Sequence, residues 1–308
     1  MKQVTLLAGG VGGAKMAEGL AALDDVDLTV IGNVADDEQF HGLWVSPDID
    51  TVTYTLAGMI DRSQGWGVAD ESHRAMDVLE TLGEPVWMTL GDKDFGLHIY
   101  RTMRRARGDR PTQIAADAAR AFGVKARILL PTDDPVQTRL ETDRGGLSFQ
   151  EYFVREKCEP TVSAVWFEWI ERARPTPEAL EAIDATDLVV IAPSNPLVSI
   201  DPILSVPGIH DHIVESGVPV IAVSPLIGGK AVKGPAAAMM EALGLEVSAL
   251  GVARHYLGLV DHMMIDNKDA VLVDDIHHLG MHTTVTNTLM KDLGDKERVA
   301  REIMETAA

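Results

Sequence analysis

Val4-Thr5-Leu6-Leu7-Ala8-Gly9-Gly10-Val11-Gly12-Gly13-Ala14-Lys15 begins with a short apolar run, passes through a glycine-rich turn and enters an amphipathic segment. An apolar run that does not alternate with polar residues is the pattern of a strand covered on both faces. The segment Ala14–Leu23 then reads as a helix. The same unit recurs along the chain. Apolar runs at Leu28–Ile31, Ile128–Leu130, Leu188–Ala192, Val218–Val223 and Met263–Ile265 alternate with helix-like segments at Ser72–Leu82, Thr112–Phe122, Pro177–Ile183 and Pro235–Leu243. Thr176-Pro177-Glu178 supplies a capping hydroxyl, a proline at the first helical position and an acid in the first turn, the chemistry of a helix start. Repeated strand–helix units predict an α/β chain with a doubly wound, mostly parallel sheet.

Two stretches interrupt this rhythm. Residues 40–110 are rich in Gly, Asp and Trp and suggest helices with few strands, whereas residues 140–175 alternate like a β-ribbon through Leu147, Phe149, Val162, Val165 and Phe167. Neither is bounded by a linker, so both are expected to be insertions, one helical and one a small ribbon, on a single domain spanning residues 1–308.

Composition narrows the function. The 308 residues are 46% hydrophobic and 24% charged, enough to bury a core. With 27 basic and 47 acidic residues the net charge is −20, which disfavours nucleic acid and anionic membrane as partners. A polyanionic substrate would need a local device: a metal, a helix N-terminus or a basic cluster. The lone Cys158 can form neither an internal disulfide nor a thiolate metal site. The N-terminal apolar run is too short for a signal peptide, and no apolar stretch reaches the roughly 18 residues of a membrane span. A cytoplasmic protein is expected.

Several loops fall where the strands should end, and ligands of open α/β sheets bind outside those carboxyl ends. The turn Gly9–Lys15 lets backbone amides approach a phosphate at a helix N-terminus. It is not a dinucleotide fingerprint, because Lys15 occupies the third fingerprint position and Asn33 stands where the second strand should end in an acid. Asp48 and Asp50 in Ser46-Pro47-Asp48-Ile49-Asp50-Thr51 have i, i+2 spacing. In an extended segment they would point to one side and share a hard cation; alternatively Asp50 caps a helix and Asp48 is solvated. Asp92 and Asp94 repeat the pattern, as do Asp133 and Asp134. Ala192-Pro193-Ser194-Asn195-Pro196 and Ser224-Pro225-Leu226-Ile227-Gly228-Gly229-Lys230 close two further strands, the second running on through Lys233-Gly234-Pro235. The run Arg101, Arg104, Arg105, Arg107 and Arg110 reads as a solvated helix face, and His277, His278 and His282 as ordinary surface or core histidines.

Taken in order, these motifs resemble the 2-phospho-L-lactate transferase family of deazaflavin coenzyme F-420 biosynthesis. The resemblance spans essentially the whole chain. It rests on GGVGGAK (Gly9–Lys15), NVADD (Asn33–Asp37), SPDIDTV (Ser46–Val52), GWG (Gly65–Gly67), LGDKD (Leu90–Asp94), TDDPVQT (Thr132–Thr138), APSNPLVSIDPIL (Ala192–Leu204) and SPLIGGKAVKGPA (Ser224–Ala236). Thr89 stands at a position often basic in relatives. The resemblance implies a Rossmann-like, homodimeric, magnesium-dependent enzyme. Its donor would be a guanosine diphosphate-linked hydroxy acid such as lactyl-2-diphospho-5′-guanosine, the unit transferred being phospholactyl or its phosphoenolpyruvyl or phosphoglyceryl equivalent. Its acceptor would be the ribityl hydroxyl of 7,8-didemethyl-8-hydroxy-5-deazariboflavin, and GMP would leave.

On that reading Asp48 and Asp50 are the catalytic and metal-binding residues. Gly10, Gly12, Gly13, Lys15, Asn33, Ser194, Asn195, Gly228, Gly229 and Lys230 hold the substrates, with Asp50, Trp66 and Thr89 around the deazaflavin. Gly12→Val is expected to weaken nucleotide binding by crowding a phosphate. An alternative is the related gluconeogenesis-factor family of regulators, which shares the glycine loop and binds nucleotide sugars without transferring them. SPDIDTV, LGDKD and the tryptophan-bearing insertion favour the enzyme.

Overall fold

The computed structural model describes residues 1–307. Its first half runs β1 (Lys2–Ala8), α1 (Gly10–Ala21), β2 (Val26–Gly32), β3 (Glu38–Phe40), β4 (Leu43–Val45), α2 (Pro47–Leu56), α3 (Arg74–Thr81), α4 (Asp92–Ala106), α5 (Pro111–Ala121), β5 (Arg127–Leu129), β6 (Gln137–Thr142), β7 (Gly145–Ser148) and β8 (Val162–Glu168). The second half runs α6 (Pro177–Asp184), β9 (Leu188–Ile191), α7 (Asp201–Leu204), α8 (Ile209–Ser216), β10 (Val220–Val223), β11 (Leu226–Ile227), β12 (Lys230–Ala231), α9 (Ala236–Ala242), α10 (Ala249–His255), β13 (His262–Asp266), α11 (Val273–His278), β14 (His282–Thr286) and α12 (Leu293–Thr306).

Seven strands form one sheet in the order β14-β13-β10-β9-β1-β2-β5, and every neighbouring pair is parallel. The six predicted strands are all in it. Their apolar runs are continuous because successive side chains enter two different cores. Leu7, Ile31, Val189 and Ile191 pack on one face, while Leu6, Ala8, Val30, Leu188 and Val190 pack on the other. The seventh strand, β14, is His-Thr-Thr-Val-Thr and largely solvated, so it carries no apolar run. Polar edge strands of this kind resist pairing with other chains.

The 40–110 stretch holds the β3–β4 hairpin and α2, α3 and α4. The ribbon is a three-stranded antiparallel sheet ordered β7-β6-β8. From β1 the chain works outward through β2 to β5, then returns to β9 and works the other way through β10, β13 and β14. The order therefore reverses between β1 and β9, and a crevice at such a reversal is where doubly wound sheets take their ligands.

Candidate functional site

A cavity of about 900 Å³ opens at this reversal. Loops at the strand carboxyl ends line its floor: Gly9–Gly12 after β1, Pro193–Asn195 after β9, and Ser224 and Pro225 after β10. The two insertions wall it, the helical one through Trp66 and Trp87 and the ribbon one through Phe149 and Phe153. The Phe149 and Phe153 rings stack at 5.6 Å.

One part of the cavity is cationic. Helix α1 starts at Gly10 with the Asp48 carboxylate against its first residues; Gly10 and Gly12 line the cavity, so the positive end of the helix dipole faces it. Lys15 Nζ donates to Met290 O at 2.9 Å. Lys233 Nζ donates to Gln64 O and lies 4.0 Å from the Trp66 ring centroid, which pins the Trp66 loop beside the helix end. Burial lowers the pKa of both lysines; the charge of Lys296 adds to this at Lys15, and that of Lys15 at Lys233. An anion would relieve that repulsion.

The other part is acidic. Asn33 Nδ2 lies between three acceptors: Asp48 Oδ2 at 3.0 Å, Asp36 Oδ2 at 3.1 Å and Val198 O at 3.2 Å. An amide with two hydrogens cannot serve all three fully. Asp36 Oδ1 is buried without a partner. Burial, and then the charge of Asp48, raise the Asp36 carboxyl far above its ordinary range; burial pushes Asp48 up to about 6. The Thr138 hydroxyl lies beside Asp36 and lowers its pKa in part; the carboxylates of Asp36 and Asp48 both line the cavity, a donor set that fits a hard divalent cation. Among the described residues no cluster of three or more His, Cys, Asp or Glu could hold a metal. Magnesium suits such a site, since it commonly takes one or two carboxylates and completes its shell with water and phosphate oxygens.

Asp48 and Asp50 do not sit in an extended segment. Both lie in the first turn of α2, where residues two apart diverge by about 200° around the axis. Asp48 reaches the Asn33–Asp36 cluster, while Asp50 is held by Arg101, whose NH1 donates to Asp50 Oδ2 at 3.1 Å and NH2 to Oδ1. Arg101 NH1 also donates to His98 Nδ1 at 3.2 Å, and burial depresses the His98 pKa to about 4, so the ring is neutral. Arg101 is therefore a buried ion-pair partner and not part of a solvated face. Its burial against Asp50 is what the charge run alone could not reveal.

The remaining expected residues divide between lining and scaffolding. Gly10, Gly12, Lys15, Trp66, Thr89, Ser194 and Asn195 line the cavity. Ser194 Oγ donates to Gly9 O at 2.7 Å, tying the two floor loops together, and Asn195 Oδ1 accepts from Leu197 N at 3.0 Å. A Cβ on Gly12 would lie 2.1 Å from Pro193 O and one on Gly13 2.8 Å from the Ala8 Cβ, so both glycines permit α1 to pack close. Gly228, Gly229 and Lys230 are not in the cavity wall. The two glycines, with φ of 58° and 72°, make the tight turn between β11 and β12, and Gly228 N donates to both Asp269 carboxylate oxygens. Lys233 and Gly234 line the cavity in their place.

Asp92 accepts from Ala75 N and Arg74 N at the start of α3, and Asp133 from Thr112 N at the start of α5; both are structural. Asp94 lines the cavity, and burial pushes its carboxyl up to about 6. Asp36 is a buried, cavity-lining carboxylate that sequence reasoning did not single out. Its signal is an acid just beyond the strand that pairs with β1, beside the glycine turn.

A parallel sheet with a helix N-terminus, two lysines and a buried carboxylate pair at its reversal point defines a doubly wound α/β protein suited to a phosphate-bearing ligand. The chain belongs to the CofD family: the family model described as 2-phospho-L-lactate transferase CofD matches residues 4–301. A phosphoenolpyruvate transferase of Streptomyces griseus is 40% identical, over 99% of this chain and 98% of its own. A 2-phospho-L-lactate transferase of Methanopyrus kandleri is 39% identical, over 98% of this chain and 96% of its own. These names indicate a transferase. A crystal structure of a UPF0052 family member from Bacillus halodurans shares the fold, with a TM-score of 0.64 over 98% of both chains at 18% identity.

Proposed function

We propose that this transferase moves a phosphorylated hydroxy-acid unit, phospholactyl or phosphoenolpyruvyl in kind, from a guanosine diphosphate-linked donor to the ribityl hydroxyl of 7,8-didemethyl-8-hydroxy-5-deazariboflavin. GMP is released, and the product is a coenzyme F-420 precursor. The observation that carries this reading is the juxtaposition, in one cavity, of a helix N-terminus flanked by Lys15 and Lys233 with the buried carboxylates Asp36 and Asp48. The names of the full-length relatives, phosphoenolpyruvate transferase and 2-phospho-L-lactate transferase, support the kind of unit transferred.

In this reaction a hydroxyl attacks phosphorus in line and charge builds on the phosphoryl oxygens. The α1 amides and the two lysines stabilise that charge without reorganising, because the core fixes them in advance. Asp36 and Asp48 would hold magnesium, which supplies Lewis-acid stabilisation of the transferring group. Asp50, held in place by Arg101, orients the acceptor hydroxyl. Asp94, raised towards neutrality by burial, is placed to take its proton. The aromatic walls Trp87, Phe149 and Phe153 suit a flat tricyclic ring.

Incubation with the deazaflavin, magnesium and each guanylated donor in turn, followed by mass measurement of the products, tests this. One donor should yield a deazaflavin heavier by its phospho-acid unit together with GMP. If no donor gives such a product in a folded, magnesium-replete protein, the reading fails.

A further inference from the structure

The transferase cavity leaves a second one unexplained. It measures about 480 Å³ and lies at the carboxyl end of β5, where Leu130, Thr132 and Asp133 follow the strand. We propose that this cavity is a separate binding site for a planar aromatic anion, a ring of up to mononucleotide size carrying one carboxylate or phosphate.

Four observations carry the assignment. The volume falls in the range of small-ligand sites. Two tryptophans, Trp44 and Trp169, line it and give flat apolar surface for a ring. It also holds two arginines without a carboxylate partner among the described residues. Arg105 lies with its guanidinium 4.1 Å from the Trp44 ring centroid, where burial lowers its pKa; Arg172 sits on the opposite insertion. Two of the three acids nearby are engaged by other donors, and the third is held at one oxygen. Asp133 accepts from Arg110 Nε and Thr112 N, each at 2.7 Å, and Asp134 accepts from Arg174 N at 2.9 Å. Asp37 takes a hydrogen bond from Ser46 Oγ at 2.6 Å, while its Oδ1 is buried and unpartnered.

Trp169 adds an independent pointer. Its φ is 67°, a left-handed conformation that is strained for a bulky side chain. Such strain persists where the surroundings enforce it, and it concentrates at ligand sites. A guanidinium stacked on an indole is the arrangement that recognises a planar anion from one side, since it offers a forked pair of donors in the plane and a flat face above it.

The test uses the whole chain and three probes: 2-naphthoate for aromatic carboxylates, phenyl phosphate for aromatic phosphates, and inorganic phosphate for an anion without a ring. Tryptophan fluorescence and calorimetry measure binding to the wild type, to Arg105→Gln, to Trp169→Leu and to Lys233→Met, with circular dichroism confirming the fold of each. Saturable binding of 2-naphthoate or phenyl phosphate that falls tenfold or more in both Arg105→Gln and Trp169→Leu, yet survives Lys233→Met, supports the site. The ring probe that binds more tightly in this manner identifies the source. If neither ring probe binds with sensitivity to Arg105, or inorganic phosphate binds as tightly as both, the site is not one for an aromatic anion. Because Lys233 belongs to the main cavity and Arg105 does not, failure here leaves the transferase reading untouched.

Discussion

Asp48 and Asp50 are two residues apart, yet their environments predict different consequences of the same substitution. Asp50 and Arg101 are buried together, so Asp50→Asn leaves a buried guanidinium without its counter-charge, a loss on the order of 3–5 kcal/mol. Asp48→Asn removes charge from a crowded acidic cluster and should leave the fold as stable or more so. Its cost should appear in chemistry: a turnover lower by about 100-fold or more, and loss of any magnesium-induced rise in melting temperature. Asp36→Asn should behave as Asp48→Asn does. Turnover and urea midpoints measured on all three variants check this; an Asp48→Asn enzyme that is fully active and still stabilised by magnesium would remove the metal role. Gly12 belongs to the same scale. With Pro193 O 2.1 Å from the position of its missing Cβ, Gly12→Ala should destabilise the fold by about 1–3 kcal/mol through overpacking. Reduced nucleotide binding would follow from unfolding. An unchanged urea midpoint would show that the floor loops can part.

At the scale of elements, α4 carries the most informative titration. Asp94, in its first turn, has a carboxyl raised by burial to about 6 from an ordinary 3.8. The folded chain thus holds this proton at pH values where the unfolded chain has lost it. Stability from this source is complete below pH 3.8 and is lost as pH rises through 6, by at most about 3 kcal/mol. Asp94→Asn should remove that loss, so its stability advantage over the wild type should grow between pH 4 and 7 and then level off. Denaturation curves across that range decide it; parallel wild-type and variant profiles would mean that Asp94 is not desolvated. The elements also show what the sequence made legible. Six of the seven strands of the sheet were readable, because burial on both faces leaves an unbroken apolar run. The solvated edge strand β14 left no such mark. The acidic pair was readable as a pair but not in its geometry, since Pro47 begins a helix there and separates Asp48 from Asp50 around its axis. Arg101 looked like one charge in a basic run because its partner lies 51 positions away, a distance no local pattern spans.

For the whole molecule, the cavity depends on the insertions being held over the sheet. Lys233, from the loop between β12 and α9, reaches Gln64 and Trp66 in the helical insertion, and Arg62 beside them pairs with Glu18 on α1 at 2.6 Å. Lys233→Met should therefore weaken guanine-nucleotide binding by roughly tenfold and expose Trp66 further, which calorimetry and the tryptophan emission maximum would report. Unaltered affinity would confine Lys233 to a packing role. Floor and walls differ in kind. The floor follows directly from strands whose spacing is fixed by the deepest packing in the protein, whereas the walls are loops and short helices that the sheet does not need in order to close. Such peripheral segments tolerate replacement far better than the strands beneath them. An engineer seeking a new acceptor would then graft segments around Trp87 and Phe149 and leave the phosphate-facing floor alone, inheriting its chemistry with the scaffold.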